Sequence, residues 1–329
     1  MDTVLVTGGA GFVGSHACKA LAAAGWQPIV YDDLSTGHAD LVRWGPLEPG
    51  DIGDAAALDA VFARHRPAAV MHFAASSLVG ASMTDPAATY RHNVAGTLTL
   101  LETMVRHGVS VLVFSSTCAT YGLPTSLPVT EDCPLQPISP YGSSKMMVER
   151  LLADFHAAYG LGFAALRYFN AAGADPDGEC GEDHADETHL IPRALMAAAG
   201  LGPRLEVYGD DWPTPDGTCL RDYVHVSDLA RWHVAALEHL LAGHGPLTLN
   251  LGTGRGWSVR EVVAAVERTT GRLVPLRVAA RRPGDPPVLV ADPTRALRVL
   301  GLAPRQPSLD DMVGTAWRWL ARRRLGHRH

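Results

Sequence analysis

The chain has 329 residues, 47% of them hydrophobic, which is enough for a large buried core in one large or two modest domains. Its formal net charge of -6 argues against nucleic acid as the main partner, because phosphate binding requires a basic surface. The five cysteines are scattered without metal-ligand spacing, and no apolar run of membrane length or signal-peptide pattern is present. We therefore expect a cytoplasmic protein without disulfides and without a bound metal.

Short apolar runs of strand length alternate along the chain with longer segments of helical spacing. We predict strands at 4–6, 29–31, 69–73, 111–114, 163–167 and 247–251, and helices at 15–24, 87–107, 141–159 and 227–241. Continuous apolar strands separated by helices are typical of a parallel sheet that is covered on both faces. After Asn170 the chain is richer in Gly, Asp, Glu and Pro, so we expect a smaller lobe beyond the carboxyl ends of the strands. The basic run 322–324 is interpreted as a solvated tail.

The first predicted strand runs directly into a Gly-x-x-Gly-x-x-Gly pattern at Gly8, Gly11 and Gly14. Glycines at this point allow a tight turn and let the backbone approach a pyrophosphate, which then faces the free N–H groups of the following helix. Asp32 ends the second strand about twenty residues on, where a carboxylate accepts hydrogen bonds from an adenosine ribose and repels a ribose phosphate. The pattern predicts a dinucleotide site that prefers NAD to NADP, with an adenine contact at 50–52.

One lysine stands out because only two occur in the chain, Lys19 and Lys145, whereas the other 26 of the 28 basic residues are arginine. Lys145 follows Tyr141 by four positions, so on a helix the phenol and the ammonium lie on one face. A planar guanidinium cannot replace a compact ammonium beside a phenol. The ammonium, together with the charge of oxidised nicotinamide, is expected to lower the pKa of Tyr141 toward neutrality. We predict that Tyr141 is a general base for a substrate hydroxyl and that Thr117 relays or orients the proton.

Ten motifs spread over essentially the whole chain carry a resemblance to a known family. They are GGAGFVGSH at 8–16, DDL at 32–34, HFAA at 72–75, NVAGT at 93–97, FSSTCATYG at 114–122, PYGSSK at 140–145, RYFN at 167–170, DGTCLRDYVHV at 216–226, NLGTG at 250–254 and RRPGD at 281–285. With these motifs the chain resembles the extended short-chain dehydrogenase/reductases, and within them the UDP-glucose 4-epimerases.

The resemblance implies an α/β fold with two parts. An NAD-binding Rossmann domain, a doubly wound parallel sheet, is expected at 1–170 with 224–252 returning to it, and a smaller α/β lobe that binds the UDP-sugar at 171–329. The implied activity interconverts UDP-glucose and UDP-galactose. Tyr141 takes the proton of the 4-hydroxyl while a tightly held NAD takes the hydride; the 4-keto sugar rotates, and the hydride returns to its other face. A homodimer is implied as well, through a four-helix interface formed by 87–107 and 146–159.

The same resemblance assigns the site residues by motif. The catalytic residues are Thr117, Tyr141 and Lys145. The cofactor-binding residues are Gly8, Gly11, Phe12, Val13, Gly14, Asp32, Asp33, Asp51, Ile52, Phe73, Ala74, Ala75, Asn93, Ser115, Tyr141, Lys145 and Tyr168. The substrate-binding residues are Thr117, Tyr141, Phe169, Asn170, His189, Leu190, Val207, Tyr208, Arg221, Tyr223, Arg282, Asp285 and Leu289. Among them, two arginines, Arg221 and Arg282, are expected to bind the diphosphate, or alternatively to form structural ion pairs such as Arg221 with Asp222.

Four positions depart from the family pattern. Thr117 replaces the more familiar serine and retains the hydroxyl. Ser77 stands where many epimerases have a lysine, and His92 where they often have an asparagine. Leu289 is smaller than the bulky residue that restricts the sugar site in some epimerases, which leads to the hypothesis that an N-acetyl group is admitted.

Alternatives to a UDP-glucose 4-epimerase stay open. They are a 4-epimerase of UDP-N-acetylglucosamine, a 4-epimerase of UDP-xylose or UDP-arabinose, UDP-glucuronate decarboxylase, and a non-catalytic NAD-sensing protein of the same fold. A nucleotide-sugar 4,6-dehydratase is disfavoured, because Cys118 and Ala119 follow Thr117 where those enzymes have Asp-Glu.

Overall fold

The computed structural model describes residues 2–282 and 284–326, so Pro283 of the RRPGD motif and the chain ends lie outside the described residues. The strands are β1 Thr3–Thr7, β2 Gln27–Asp32, β3 Leu47–Pro49, β4 Ala69–His72, β5 Val111–Thr117, β6 Gly162–Tyr168, β7 Asn170–Ala172, β8 Leu205–Tyr208, β9 Leu220–His225, β10 Leu247–Leu251, β11 Gly256–Ser258, β12 Leu276–Ala279 and β13 Val288–Leu289. The helices are α1 Phe12–Ala23, α2 Ala55–His65, α3 Val79–Thr84, α4 Pro86–Tyr90, α5 Thr97–Arg106, α6 Pro140–Tyr159, α7 Leu190–Ala199, α8 Val226–Leu241, α9 Val259–Thr270, α10 Thr294–Leu300 and α11 Leu309–Leu320. In the part of the chain described, none of these helices has the length and apolar character needed to cross a membrane.

A seven-stranded sheet with every neighbouring pair parallel forms the larger part of the molecule, in the order β3-β2-β1-β4-β5-β6-β10. Helices α1 and α8 bury their apolar sides on one face of this sheet, and α2, α5 and α6 bury theirs on the other. Because both faces are covered, the strand interiors are mostly apolar, as the sequence indicated, with buried polar residues such as Ser116 and Arg167 near the carboxyl ends. The order reverses at β1 and β4, so the carboxyl ends of these strands open a crevice. The predicted fold class is confirmed.

The smaller lobe lies beyond this crevice and has its own apolar core. Strand β9 pairs with β7, β11 and β13 in a four-stranded sheet, and β8 pairs with β12. Helices α7, α9 and α11 pack together against β9. The Asp222 carboxylate, fully buried in β9, accepts backbone N–H groups of Thr253 at 2.9 Å, Gly254 at 3.0 Å and Ala291 at 3.2 Å. One buried acid therefore joins three segments of the lobe.

Two predicted elements differ from the structure. The helix predicted at 87–107 is not continuous, because a π-helical turn, Arg91–Gly96, separates α4 from α5. Within this turn the Asn93 side chain points inward and bonds to neighbouring segments, and Gly96 lies against Ile52. The strand predicted to end at Phe114 continues to Thr117, because each added residue pairs with β6. Apolar periodicity detects neither effect, since both depend on neighbouring elements.

The interpretation of the basic run 322–324 as a solvated tail is only partly right, because Arg322 and Arg324 are exposed but the run is held by ion pairs. Arg323 Nε donates to Asp183 Oδ2 at 2.7 Å, and its guanidinium also pairs with Asp40. Arg324 Nη2 donates to Asp183 Oδ1 at 2.6 Å. The acidic partners lie more than a hundred residues away in the sequence, so the sequence of the run revealed its charge but not its ion pairs. Through these pairs the C-terminal segment joins the loop after β2 to the loop after β7.

A buried ion pair on α6 and β6 supports the sheet directly behind the predicted catalytic tyrosine. Arg167 Nη2 donates to Glu149 Oε2 at 2.5 Å, and Ser116 Oγ donates to Glu149 Oε1 at 2.5 Å. Both charged side chains are more than nine-tenths buried. Removal of one partner leaves an uncompensated charge in the interior.

We expect Arg167→Met to lower the free energy of unfolding by about 3–5 kcal/mol, because Glu149 keeps its burial and loses its cation. Urea denaturation followed by circular dichroism measures the change. Arg150→Met is the matched control: Arg150 forms an exposed pair with Asp154 on the same helix, and such pairs contribute about 0.2–1 kcal/mol. Equal midpoints for the two variants would contradict the assignment.

Candidate functional site

A cleft of about 1200 Å³ lies between the carboxyl ends of the large sheet and the smaller lobe. Single ligand sites usually occupy about 300–1000 Å³, so this cleft has room for two adjacent ligands. One end is lined by the glycine turn after β1, the middle by α6 and the end of β5, and the far end by α7, β8 and β9.

The glycine turn is packed so closely that side chains are excluded. Gly8 has φ +71°, and a Cβ there would lie 2.5 Å from the backbone N of Ala74. A Cβ on Gly14 would lie 2.1 Å from the carbonyl oxygen of Gly8. No side chain caps the N-terminus of α1 at Gly11, so the helix start faces the cleft with its backbone donors. This cradle fits a pyrophosphate group, as the sequence predicts.

Asp32 lies at the end of β2 beside the glycine turn. Its carboxylate is 7% exposed and accepts the N–H groups of Ala10 and Leu34, each at 2.9 Å. Burial raises the pKa of Asp32, and these two N–H groups act against that shift. The contacts fix the carboxylate at the cleft, in the place where a ribose is predicted. Asp33 is exposed at the edge of the cleft and binds Ser35.

Helix α6 carries the predicted catalytic pair into the middle of the cleft. Ser139 is the N-cap of the helix, since its Oγ accepts the N–H of Gly142 at 3.2 Å. Both Tyr141 and Lys145 line the cleft. The Lys145 Nζ donates to the carbonyl oxygen of Ser115 at 2.8 Å, which holds the ammonium against β5. The spacing of four residues therefore places both groups as predicted.

Burial controls the protonation of this pair. It lowers the pKa of Lys145 to about 7, and Glu149 acts in the opposite direction. Burial also raises the pKa of Tyr141, Tyr168 adds to the rise, and the Thr117 hydroxyl opposes it. The sequence led us to expect a lowered tyrosine pKa, and the groups of the chain alone do not produce it. The desolvation of the phenolate exceeds what the neighbouring side chains supply.

The wall opposite the sheet presents two arginines. Arg221 Nη1 donates to the carbonyl of Pro286 at 2.9 Å, and its Nη2 lies 3.7 Å from Asp285 Oδ1. The Arg282 guanidinium lies 3.8 Å from the centre of the Tyr208 ring. Backbone and aromatic contacts orient both groups while leaving donors for an anion. Arg221 does not pair with Asp222, which is occupied elsewhere in the lobe, but its contact with Asp285 is a structural ion pair of the kind that the sequence left open.

Most of the predicted site residues line this cleft. The cofactor set at the cleft comprises Gly8, Gly11, Phe12, Val13, Gly14, Asp32, Asp33, Ile52, Phe73, Ala74, Ala75, Ser115, Tyr141, Lys145 and Tyr168. The substrate set comprises Thr117, Tyr141, Phe169, Asn170, His189, Leu190, Tyr208, Arg221, Tyr223, Arg282 and Asp285. Ser77 and His92, two of the four departures from the family pattern, line it too. The sequence reasoning missed Glu182, His184 and Arg193, which belong to segments without a motif, and Cys219, which lies within the motif at 216–226.

Four predicted residues do not line the cleft. Asp51 faces a smaller neighbouring pocket, where its carboxylate accepts the N–H of Gly53. Asn93 donates to the carbonyl of Ser76 and to Ser144, so it supports the cleft wall from behind. Val207 is buried because alternate residues of a strand face opposite sides, and Tyr208 takes the cleft side. Leu289 packs in the cluster of Cys118 and Phe169, beneath residues that do line the cleft.

The fold and the cleft together define a dinucleotide-binding α/β protein with a tyrosine and a lysine in the middle of its cleft. The model of the NAD dependent epimerase/dehydratase family matches residues 4–252, and the chain belongs to this family. It is 51% identical over 321 residues to a UDP-glucose 4-epimerase of Rhizobium leguminosarum bv. trifolii, with 98% of each chain covered.

Two solved structures are also similar to the chain. A UDP-glucose 4-epimerase from Brucella ovis, solved with NAD, is 55% identical with a TM-score of 0.95, and 97% of this chain and 98% of that chain are covered. One from Stenotrophomonas maltophila, with bound NAD and formylated UDP-arabinopyranose, is 42% identical with a TM-score of 0.94 and the same coverage. The family that the motifs indicated is confirmed.

We expect Gly14→Ala to reduce NAD affinity by roughly tenfold or more, because the added Cβ displaces the Gly8 backbone, and overpacking costs about 1–3 kcal/mol. Alanine favours a helix interior over glycine, so a lower helix propensity cannot explain such a loss. Acid extraction of purified protein measures the nicotinamide retained. Gly245→Ala is the control, since a Cβ there meets nothing within 4 Å. Full retention by Gly14→Ala would contradict the placement of the cofactor.

Proposed function

We propose that this chain is an NAD-dependent UDP-glucose 4-epimerase, which interconverts UDP-glucose and UDP-galactose. The observation that carries the proposal is the shared cleft: Tyr141 and Lys145 stand between a glycine cradle and a wall with two arginines. A dehydrogenase-type pair beside an anion-binding wall suits a nucleotide-sugar substrate. The relatives described above, which match almost the full chain, carry the same name.

We propose that NAD binds along the carboxyl ends of β1, β2, β4 and β5. In this arrangement the glycine turn and the start of α1 bind the pyrophosphate, and Asp32 accepts the hydroxyls of the adenosine ribose. The bound NAD supplies a reversible hydride acceptor and a positive charge on its nicotinamide ring. Lys145, held by Ser115, donates to the nicotinamide ribose. The cofactor therefore rests on 1–170, and the substrate mainly on the lobe formed from 171–329.

The proton step is assigned to Tyr141. Its phenolate accepts the proton of the sugar 4-hydroxyl, and Thr117, at the end of β5, orients that hydroxyl. Because burial raises the pKa of Tyr141, formation of the phenolate requires positive charge beside the phenol ring. Lys145 and oxidised nicotinamide supply that charge. The tyrosine is therefore a competent base only in the assembled complex. Return of the proton to the 4-oxygen completes the cycle without net redox change.

The substrate is proposed to be held by its nucleotide and to be free at its hexose. Arg221 and Arg282 bind the diphosphate as fixed donors, and Asp285 accepts the uridine ribose. His189, Leu190 and Tyr208 are placed near the uridine. Asn170 faces the sugar, although its amide already donates to the carbonyl of Asp222 at 2.9 Å. Rotation of the keto sugar requires strong binding of the nucleotide, remote from the reacting carbon, and weak binding of the hexose.

The environment of Cys118 argues against the dehydratase alternative. Elimination needs an acid and a base beside the active-site threonine, and burial raises the pKa of Cys118 to about 12. The thiol is therefore neutral and cannot replace a carboxylate. Leu289 packs under Phe169 and does not narrow the cleft, so N-acetylated and pentose UDP-sugars remain alternative substrates. The five cysteines are free thiols, and we propose the cytoplasm as the compartment.

Apolar side chains on the outer faces of α5 and α6 support a homodimer. Leu98 and Val105 are 37% and 40% exposed and lie seven residues apart on α5, and Met147 and Tyr159 are 43% and 61% exposed on α6. Residues seven apart lie within about 20° of each other around a helix, so α5 presents an apolar stripe, and α6 adds two further exposed apolar side chains. We expect light scattering to give twice the mass of the chain, and Met147→Glu to shift the protein toward the monomer. A monomeric wild type would contradict the interface.

We expect Tyr141→Phe to lower kcat by about 10²–10⁴-fold while NAD stays bound, because only the proton acceptor is lost. The measurement is a coupled assay with UDP-galactose, with UDP-N-acetylgalactosamine and UDP-arabinose as parallel substrates. Tyr159→Phe is the control, since Tyr159 lies outside the cleft and the substitution keeps its aromatic ring for the proposed interface. An unchanged rate in Tyr141→Phe would refute the mechanism, and turnover of a parallel substrate alone would replace the proposed sugar.

A further inference from the structure

Four side chains of the loop between β7 and α7 converge at the edge of the cleft. Glu182, His184, Glu187 and His189 each offer one ligand atom, and these atoms lie within 4.8 Å of one another. Both carboxylate side chains are only 7% exposed. The four residues occur within eight positions of the sequence, so the loop alone supplies the whole cluster.

Each imidazole in this cluster faces both carboxylates with the same nitrogen. His184 Nδ1 lies 3.2 Å from Glu182 Oε1 and 3.3 Å from Glu187 Oε2. His189 Nδ1 lies 2.7 Å from Glu182 Oε1 and 2.8 Å from Glu187 Oε1. An Nδ1 carries at most one proton, so it cannot donate a full hydrogen bond to two oxygens. This convergence of four ligand atoms suits a cation at their centre better than separate hydrogen bonds.

We propose that Glu182, His184, Glu187 and His189 form a four-coordinate site for a divalent transition metal, with zinc as the fitting ion. Two imidazole nitrogens and two carboxylate oxygens are ligands that zinc accepts at about 2.0–2.2 Å, which corresponds to separations of roughly 3.3–3.5 Å between ligand atoms in a tetrahedron. The four nitrogen–oxygen separations, 2.7–3.3 Å, reach this range with a small opening of the cluster. Calcium and magnesium prefer oxygen ligands alone. The sequence analysis expected no bound metal because the cysteines lack metal-ligand spacing. The proposed site contains no cysteine, so that reasoning does not apply to it.

A second acidic cluster on the same loop provides a contrast. Asp175, Asp177 and Glu179 also bring their oxygens together, but the Lys19 ammonium already lies 2.8, 2.7 and 2.7 Å from them. A cation of the chain occupies that position, so it offers no place for a metal. The two clusters therefore differ in the group at their centre.

A metal at the proposed site would fix the loop to both of its neighbours. Glu182 is anchored by its carbonyl, which accepts Trp319 Nε1–H at 2.9 Å. The N–H of His189 donates to Glu187 Oε1 at 2.8 Å, which orients that carboxylate from the other side. His189 immediately precedes α7, and Leu190, the first residue of this helix, lines the cleft. The ion would thus set where α7 begins. These four are positioning residues, and the inference requires no step of the epimerase mechanism.

The test is metal analysis of the full chain with its bound NAD, purified without a metal-affinity step. The protein is equilibrated with zinc, dialysed against metal-free buffer and measured by elemental mass spectrometry. We expect one zinc per chain in the wild type and in the Asp177→Asn control, which alters the lysine-filled cluster. Glu182→Gln/Glu187→Gln should lose zinc affinity by at least roughly tenfold. Cobalt in place of zinc should give the intense visible absorption of tetrahedral coordination.

Hydrogen exchange provides a readout that needs no variant. Amides of 182–190 in the wild type should exchange more slowly with zinc than after chelation. The proposal is overturned if the wild type keeps no zinc after dialysis, if exchange of this loop does not respond, or if the double variant keeps as much zinc as the wild type. The last result would assign the ion to surface histidines such as His239 and His244, whose rings lie 4.5 Å apart. Because none of these measurements uses turnover, failure of the proposed epimerase activity is recorded separately.

Discussion

The close approach of Gly8 to Gly14 is the contact on which the rest of the site depends. With no side chain at either position, α1 can begin directly at the end of β1, and Ala74 at the end of β4 can lie against the same turn. This contact brings three elements together at the point where the sheet order reverses, and it leaves backbone donors facing the cleft. The smaller lobe forms the other wall of the cleft at this edge of the sheet.

The burial that stabilises this fold also sets the chemistry of the cleft. Helix α6 carries Lys145 on the side that packs against β5 and Tyr141 at its first turn, so both groups lose water. Burial favours the neutral phenol of Tyr141 until positive charge arrives with the cofactor. The proposed base, active only in the assembled complex, would suit a reaction in which the hydride must return to the same molecule. The buried ion pair of Arg167 and Glu149 joins α6 to β6.

The sequence patterns were most informative where a local rule applies. The period of the apolar runs predicted six of the strands of the large sheet, and the spacing of Tyr141 and Lys145 predicted their common face. The sequence patterns were less informative where contacts with a neighbouring element change the continuity of a helix or the length of a strand. The interruption by the π-helical turn arises from the inward bonds of Asn93, and the added length of β5 arises from its pairing with β6. Neither partner is adjacent in sequence.

The amino-acid sequence by itself determined the fold class, the family and the common face of Tyr141 and Lys145, because glycine turns, strand periods and helical spacings are short-range properties. Only the tertiary structure decided which side chains meet. It turned Asn93 away from the cleft, placed Leu289 beneath Phe169, bound Arg323 to two distant acids and gathered two histidines with two glutamates. It also buried Tyr141, which raises the pKa of the phenol among the groups of the chain alone. Contacts, burial and pKa depend on the packing of distant segments, which a linear pattern does not specify.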